Sequence, residues 1–118
     1  MMRLDVRVTK QSIEQITDGR VVARHSAVGT SIVQVVQIGA YLIVREDYYH
    51  FPRGRSNVYC IDAHMRQLWE AELPSTSDVY ANPIVVCGED EFSVASWEGC
   101  TCWIDATTGK IRRSEFTK

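Results

Sequence analysis

Four consecutive ring-bearing residues, Tyr48-Tyr49-His50-Phe51, run through one proline into Arg53-Gly54-Arg55. No other stretch of the chain concentrates as much recognition chemistry. Tyrosine and arginine combine a large contact area with polar reach, which is why both are enriched at binding hot spots. Loops accommodate such side chains in a way strands rarely do. Tyr48, Tyr49, His50, Phe51, Arg53 and Arg55 are therefore the candidate partner-binding residues. A structural reading stands beside this one: the rings cover an open sheet face and the guanidinium groups simply face water.

Catalytic chemistry has less support. Nucleophilic work needs a nucleophile, a base and an orienting group together, and His25, His50 and His64 lie in no such motif. No phosphate-cradling or dinucleotide loop is present, since Gly99 and Gly109 are single turn glycines. The expectation is a non-enzyme without a cofactor. Cys60, Cys87, Cys100 and Cys102 are even in number, but nothing in the sequence reads as an export signal, which favours free thiols. On a strand Cys100 and Cys102 share a face. A lone Cys-Thr-Cys is far weaker than paired Cys-x-x-Cys motifs, so core packing is expected for this pair and no metal site is assigned. Cys60 and Cys87 are expected to pack as small hydrophobes within strands.

The elements that must position these residues come from a repeat. Cys60-Ile61-Asp62-Ala63 and Trp103-Ile104-Asp105-Ala106 are copies of one unit, with aspartates 43 residues apart. Upstream, Val35-Val36, Gly39-Ala40 and Tyr41-Leu42-Ile43-Val44 align with Val85-Val86, Gly88-Glu89-Asp90-Glu91 and Phe92-Ser93-Val94-Ala95. Each copy reads strand, turn, strand, then a second hairpin, giving four strands. A period in the 40s is typical of propeller blades, which bury their faces against neighbouring blades. The first copy carries seven extra residues between its second and third strands, within 47–56, where the aromatic and arginine residues fall. Asp18-Gly19 before Arg20-Val21-Val22-Ala23-Arg24 echoes the later hairpins and marks the end of a partial preceding blade. Ser12-Ile13-Glu14-Gln15-Ile16 has capping-box spacing that permits a helix; the strand reading is preferred.

With those motifs, the chain resembles the blades of quinoprotein-like (pyrroloquinoline-quinone-like) β-propellers. Asp62-Ala63-His64-Met65-Arg66-Gln67-Leu68-Trp69 keeps the Asp, Ala and Trp of that blade pattern, with Met65 at the turn-glycine position. Asp105-Ala106-Thr107-Thr108-Gly109-Lys110-Ile111-Arg112-Arg113 keeps the Asp-Ala pair and the Thr-Gly-Lys turn, with Arg113 at the tryptophan position. The resemblance covers about residues 33–116. It implies an all-β fold of antiparallel four-stranded blade-like sheets in a partial β-propeller: one domain over 1–118, with a partial blade over 1–32 and blades over 33–74 and 83–116. Asp62 and Asp105 are then scaffold residues whose carboxylates accept N–H groups of the following turn. The quinone-dependent enzymes of the resembled family hold their cofactor at the centre of a large closed propeller. This chain is too short to build one, which leaves an enzyme fragment a distant third reading.

At 118 residues with 45% hydrophobic and 24% charged residues, the chain has the composition of a globular domain able to form a core without disulfides. No apolar run approaches the ~18 residues of a membrane span, so no membrane association is expected. Met1-Met2-Arg3-Leu4-Asp5-Val6-Arg7-Val8 alternates as a strand does rather than forming a signal peptide, so the expected compartment is the cytoplasm. Residues 1–59 carry a net +3 and residues 60–118 a net −5. A pI near 5.9 argues against general nucleic-acid binding. Two and a half blades cannot close a ring, and exposed faces and edges favour self-association, so a homo-oligomer is expected together with a protein partner. The leading functional expectation is a non-catalytic protein-interaction module. The alternative is a bacterial immunity-type protein that neutralises a toxin, with Glu89, Asp90, Glu91, Asp78 and Glu98 imitating nucleic acid toward a basic nuclease.

Overall fold

The computed structural model describes residues 3–116, which form strands and turns without a helix. Residues 1 and 2, the start of the alternating N-terminal stretch, lie outside the described residues. Strands β1 (Val6–Val8), β2 (Ser12–Thr17) and β3 (Arg20–Ser26) make a three-stranded sheet. Strands β4 (Ile32–Ile38), β5 (Tyr41–Glu46), β6 (Val58–Ile61) and β7 (Gln67–Glu70) make a second sheet of four, in chain order. A third, β8 (Val85–Val86), β9 (Glu91–Ala95), β10 (Cys100–Asp105) and β11 (Ile111–Phe116), repeats that meander. All pairings are antiparallel. The segment with capping-box spacing is β2: its Ile13 must reach the core while its neighbours pair with β1 and β3, a demand that overrides local helix signals.

Burial explains the stacking. In the second sheet Leu42, Ile43 and Val44 are all buried, as are the four residues of β6, so this sheet is covered on both faces. One face meets the first sheet through Ile13, Leu42, Val44, Tyr59, Ile61 and Met65. The other meets the third through Ile43, Cys60, Phe92, Val94, Cys102 and Ile104. The third sheet alternates strictly in β9 and β10, as a sheet with one core face must. Trp69 on β7 stacks on Phe92 of the next sheet, with ring centroids 6.2 Å apart and planes within 7°. Its ring also lies against Gly109, where an added Cβ would come within 2.5 Å of it. Gly109 is thus required twice, for a φ of +79° and for the indole above it.

The repeat aspartates act as the sequence implied. Asp62 Oδ1 accepts N–H groups from His64 (2.8 Å) and Arg66 (3.0 Å), and Asp105 Oδ1 accepts Thr107 N–H (2.8 Å) and hydroxyl (2.7 Å). Met65, standing in for the turn glycine, adopts a φ of +67° while its side chain is buried between the first two sheets. That burial offsets a backbone strain of order 1 kcal/mol.

The outward faces of the two end sheets carry charged clusters. On the first, Glu14 lies between Arg7 and Arg24 of the flanking strands, at 2.5 Å from Arg7 and in a shorter contact with Arg24. Hydrogen bonds from Arg7 and Arg24 hold its carboxyl below the ordinary value. On the third, Arg113 stacks on Trp103 at 3.7 Å, and Arg112 meets Asp90, Glu91 and Asp105 at 3.2 Å each. The cysteine expectation needs one correction. Cys60, Cys100 and Cys102 are buried, but Cys87 is exposed, because β8 ends at Val86 and leaves Cys87 in the turn.

Candidate functional site

The loop between β5 and β6 holds eleven residues, 47–57, where the third sheet has four, 96–99, at the same place between β9 and β10. Its ends are fixed from below. Asp47 N–H donates to Ser31 (2.7 Å) and the Thr30 hydroxyl donates to the Asp47 carbonyl (2.6 Å). At the far end Arg55 pairs with Glu70 at 2.6 Å, and Ser56 N–H reaches the same carboxylate at 3.1 Å. Between them, Tyr49 N–H binds the Asp47 side chain (3.0 Å) and Phe51 N–H the Tyr48 carbonyl (3.2 Å), turning the chain through His50 at a φ of +66°.

This anchoring sorts the six candidates. Phe51 is buried, packed with Pro52 over Gly29, where an added Cβ would lie 2.7 Å from Pro52 Cδ and 2.8 Å from Phe51 Cε1. Arg55 is committed to Glu70. Tyr48, half-buried, lies against Trp97 of the β9–β10 turn, with centroids 5.4 Å apart and planes at 31°. Tyr49 and His50 are exposed and meet edge to face at 4.2 Å. Arg53 is exposed and makes no ion pair or hydrogen bond with the described residues.

Two open clefts flank the loop. One, of about 290 Å³, is lined by Phe51, Arg53, Gly54 and the segment Thr76–Val79. The other, of about 420 Å³, is lined by Tyr48, Ala81, Asn82, Ala95, Ser96, Trp97 and Gly99. The 48–54 loop and residues 76–82 contribute to both, and Ala95, Ser96, Trp97 and Gly99 complete the second. Buried polar residues hold the 76–82 segment. Asn57 pairs both ways with the Tyr80 backbone (2.8 and 2.9 Å), and buried Asp78 accepts the N–H groups of Val79 (2.9 Å) and Glu98 (3.2 Å). Trp97 N–H donates to the Val79 carbonyl at 2.8 Å.

Beneath the loop lies a buried chain of polar groups. Glu46, fully buried, accepts N–H bonds from Val28 (2.7 Å), Gly29 (3.0 Å) and Thr30 (2.9 Å) and the hydroxyl of Tyr59. His25 Nε2 lies 2.7 Å from the same hydroxyl. Burial pushes the Glu46 carboxyl up, but the Thr30, Val28 and Gly29 N–H groups and Tyr59 together hold it below its ordinary value. The same burial keeps His25 low and raises the Tyr59 phenol. None of the three lines either cleft. Their geometry joins the first sheet to the second and fixes the 28–30 connection on which Phe51 rests.

Sequence reasoning missed Trp97, Glu46, Tyr59 and Asn57. Trp97 sits in a four-residue turn far from the aromatic run in sequence, and an acidic residue at a strand end carries no local mark of burial. The five acidic residues suggested as a nucleic-acid mimic are divided. Glu89, Asp90 and Glu91 lie at the β8–β9 turn with Arg112, whereas Asp78 and Glu98 lie beyond the other end of β9, with Asp78 buried. They form no continuous acidic face. Cys100 and Cys102 lie with sulfurs 4.0 Å apart in the core, and burial pushes the Cys102 thiol up to about 12. Among the described residues no three His, Cys, Asp or Glu side chains converge as a metal site.

Comparison with known proteins places this geometry in a wider frame. The chain belongs to the family described as a domain of unknown function, DUF7957, whose model matches residues 7–116. No curated protein matches it. Its fold is similar to the crystal structure of BamB from Moraxella catarrhalis, with a TM-score of 0.65 and 17% identity, over 95% of this chain and 32% of that one. It is also similar to the computationally designed Ika8 protein, with a TM-score of 0.62 and 10% identity, over 96% of this chain and 36% of that one. The chain thus spans about a third of the length of each. The likeness shows an all-β, propeller-like fold of antiparallel sheets.

Proposed function

We propose that this chain is a non-catalytic protein-interaction module of quinoprotein-like type, two and a half blades in extent, that works in the cytoplasm and presents the 47–57 loop end to a protein partner. One observation carries the proposal. Tyr48, Tyr49, His50 and Arg53 stand on a loop anchored at both ends, Tyr48 lies against Trp97 of the neighbouring β9–β10 turn, and Tyr49 is 66% and Trp97 60% exposed. Large rings left in water on a fixed scaffold lose little freedom on binding and gain apolar burial, which is the physical basis of a hot spot.

The Arg7–Glu14–Arg24 cluster on the first sheet and the Trp103–Arg113 stack on the third are surfaces suited to water, as the caps of stacked repeat proteins are. We infer from these faces that one copy can stand alone; the homo-oligomer that the blade count favours is the alternative, in which the end sheets or exposed edges pair between copies.

The test is a photo-crosslinking residue placed at Tyr49 in the producing cell, combined with Trp97→Ala, Arg53→Ala and Arg55→Ala made separately. A discrete crosslinked protein that is lost with Trp97→Ala or Arg53→Ala, in variants that melt as the parent does, supports the reading. Unchanged capture by all three folded variants sinks it.

A further inference from the structure

The second cleft has an unusual lining for a protein-binding surface. Two large rings, Tyr48 and Trp97, stand among the small residues Ala81, Ala95, Ser96 and Gly99, with Asn82 as the remaining wall and no charged side chain. It is an open trough with two aromatic rings in its lining, a surface suited to a flat, rigid, apolar ring lying on them. Polar groups at its rim complement an extended backbone. The Trp97 indole N–H has no partner among the described residues and is left to donate, while Asn82 Nδ2 is tied to the Ala95 carbonyl (3.1 Å), leaving its side-chain oxygen to accept. The same loop and the 76–82 segment continue into the first cleft, where Arg53 stands without an ion pair beside Thr76 and Ser77.

We propose that the trough binds an extended proline-rich segment of a partner protein in the polyproline II conformation, with an acidic residue beside the prolines reaching Arg53. This deepens the reading above and rests on it. Proline supplies the required ring, leaves its carbonyl available and enters already ordered, so an open site can hold it at small entropic cost. The unpaired Arg53 sets the charge of the flank. Base stacking on the rings is the competing occupant, and the protein's net charge of −2 disfavours it.

Fluorescence anisotropy with three labelled peptides tests this on the full chain: five prolines flanked on each side by two glutamates, the same peptide with glycines for prolines, and the same with lysines for glutamates. Acidic residues at both ends let either chain direction bring a carboxylate to Arg53. The proline-glutamate peptide is expected to bind about tenfold or more tightly than either relative. Trp97→Ala should weaken it about tenfold or more, and Arg53→Glu should shift preference toward the lysine peptide. Both positions are exposed, and thermal melts confirm that the variants fold. Equal binding of the glycine peptide, parent-like binding by Trp97→Ala, tighter binding of oligothymidylate, or no binding at millimolar concentration overturns the proposal. If these peptides fail while the Tyr49 crosslink still captures a site-dependent partner, only the proline assignment falls; if both fail, the site reading falls with it.

Discussion

Replacing Glu46 with alanine should destabilise the fold more than any surface change, and the structure says by how much. Its carboxylate accepts three consecutive N–H groups and the Tyr59 hydroxyl. Val28 and Gly29 are exposed, so their freed N–H groups rehydrate at little cost. Tyr59 is 1% exposed, and its hydroxyl loses a charged acceptor that only His25 partly replaces, costing about 1–3 kcal/mol. Loss of a fully buried side chain and of a partly covered Thr30 N–H brings the expected total to roughly 3–5 kcal/mol. Against a domain stability of about 5–15 kcal/mol, that is a large share.

Urea unfolding followed by tryptophan fluorescence reads this directly. With a slope of about 1.5 kcal/mol per molar, Glu46→Ala should lower the midpoint by about 2–3 M. Glu46→Gln keeps the volume and one oxygen and should cost less, while Tyr59→Phe should cost about 1–2 kcal/mol. The double variant should lose less than the sum of the singles, because each removes the other's partner. A loss below about 1 kcal/mol for Glu46→Ala would refute the claim that this carboxylate pins the first two sheets together.

Three further outcomes follow from the same contacts. Gly109→Ala places a methyl group within 2.5 Å of the Trp69 ring at a φ of +79°, and should cost about 2–3 kcal/mol by urea unfolding, whereas Gly39→Ala, with nothing within 4 Å, should cost only its backbone strain of about 1 kcal/mol. Stability should fall with acid in two stages. Burial holds His25 below its ordinary 6.5, so the unfolded chain binds the extra proton first and stability drops as pH falls below that value; Glu46, held below 4.5, adds a second loss under that pH. Urea midpoints at pH 8, 6, 5 and 4 show both stages, and His25→Gln should flatten the first alone. Light scattering at micromolar concentration should give a monomer of 13.4 kDa, while a discrete dimer or trimer would mean that the end sheets or exposed edges pair between copies.

Much of the fold was legible because a repeat writes the same instruction more than once. The Asp-Ala pairs, the turn after each and the alternation in Phe92–Ala95 each specify a hairpin locally, and their agreement located both four-stranded sheets and the extra loop residues. Cys87 was misjudged for a local reason: β8 stops after two residues, and nothing near Cys87 in sequence says so. The site was legible only in its contiguous half. Tyr48 and Trp97 are brought together by two different sheets, and Glu46 meets Val28–Thr30 and Tyr59 across three segments, so neither grouping leaves a short-range trace.

The two departures from the blade pattern follow from what lies beside each position. Trp69 has a neighbouring sheet to cover and lies on Phe92 and Gly109. Arg113, at the matching place in the third sheet, has none among the described residues; it lies back over Trp103 of its own sheet and turns an apolar face polar. Met65 can replace the turn glycine because its side chain finds the core between the first two sheets, whereas Gly109 cannot be replaced because Trp69 occupies that space. A degenerate repeat position is thus a record of its neighbours. By the same logic, Tyr49, His50 and Arg53, exposed and with side chains bonded to nothing outside their own loop, are the residues of 47–57 whose chemistry the scaffold leaves unexplained, and Arg53 lines one of the two clefts beside which a partner is proposed to bind.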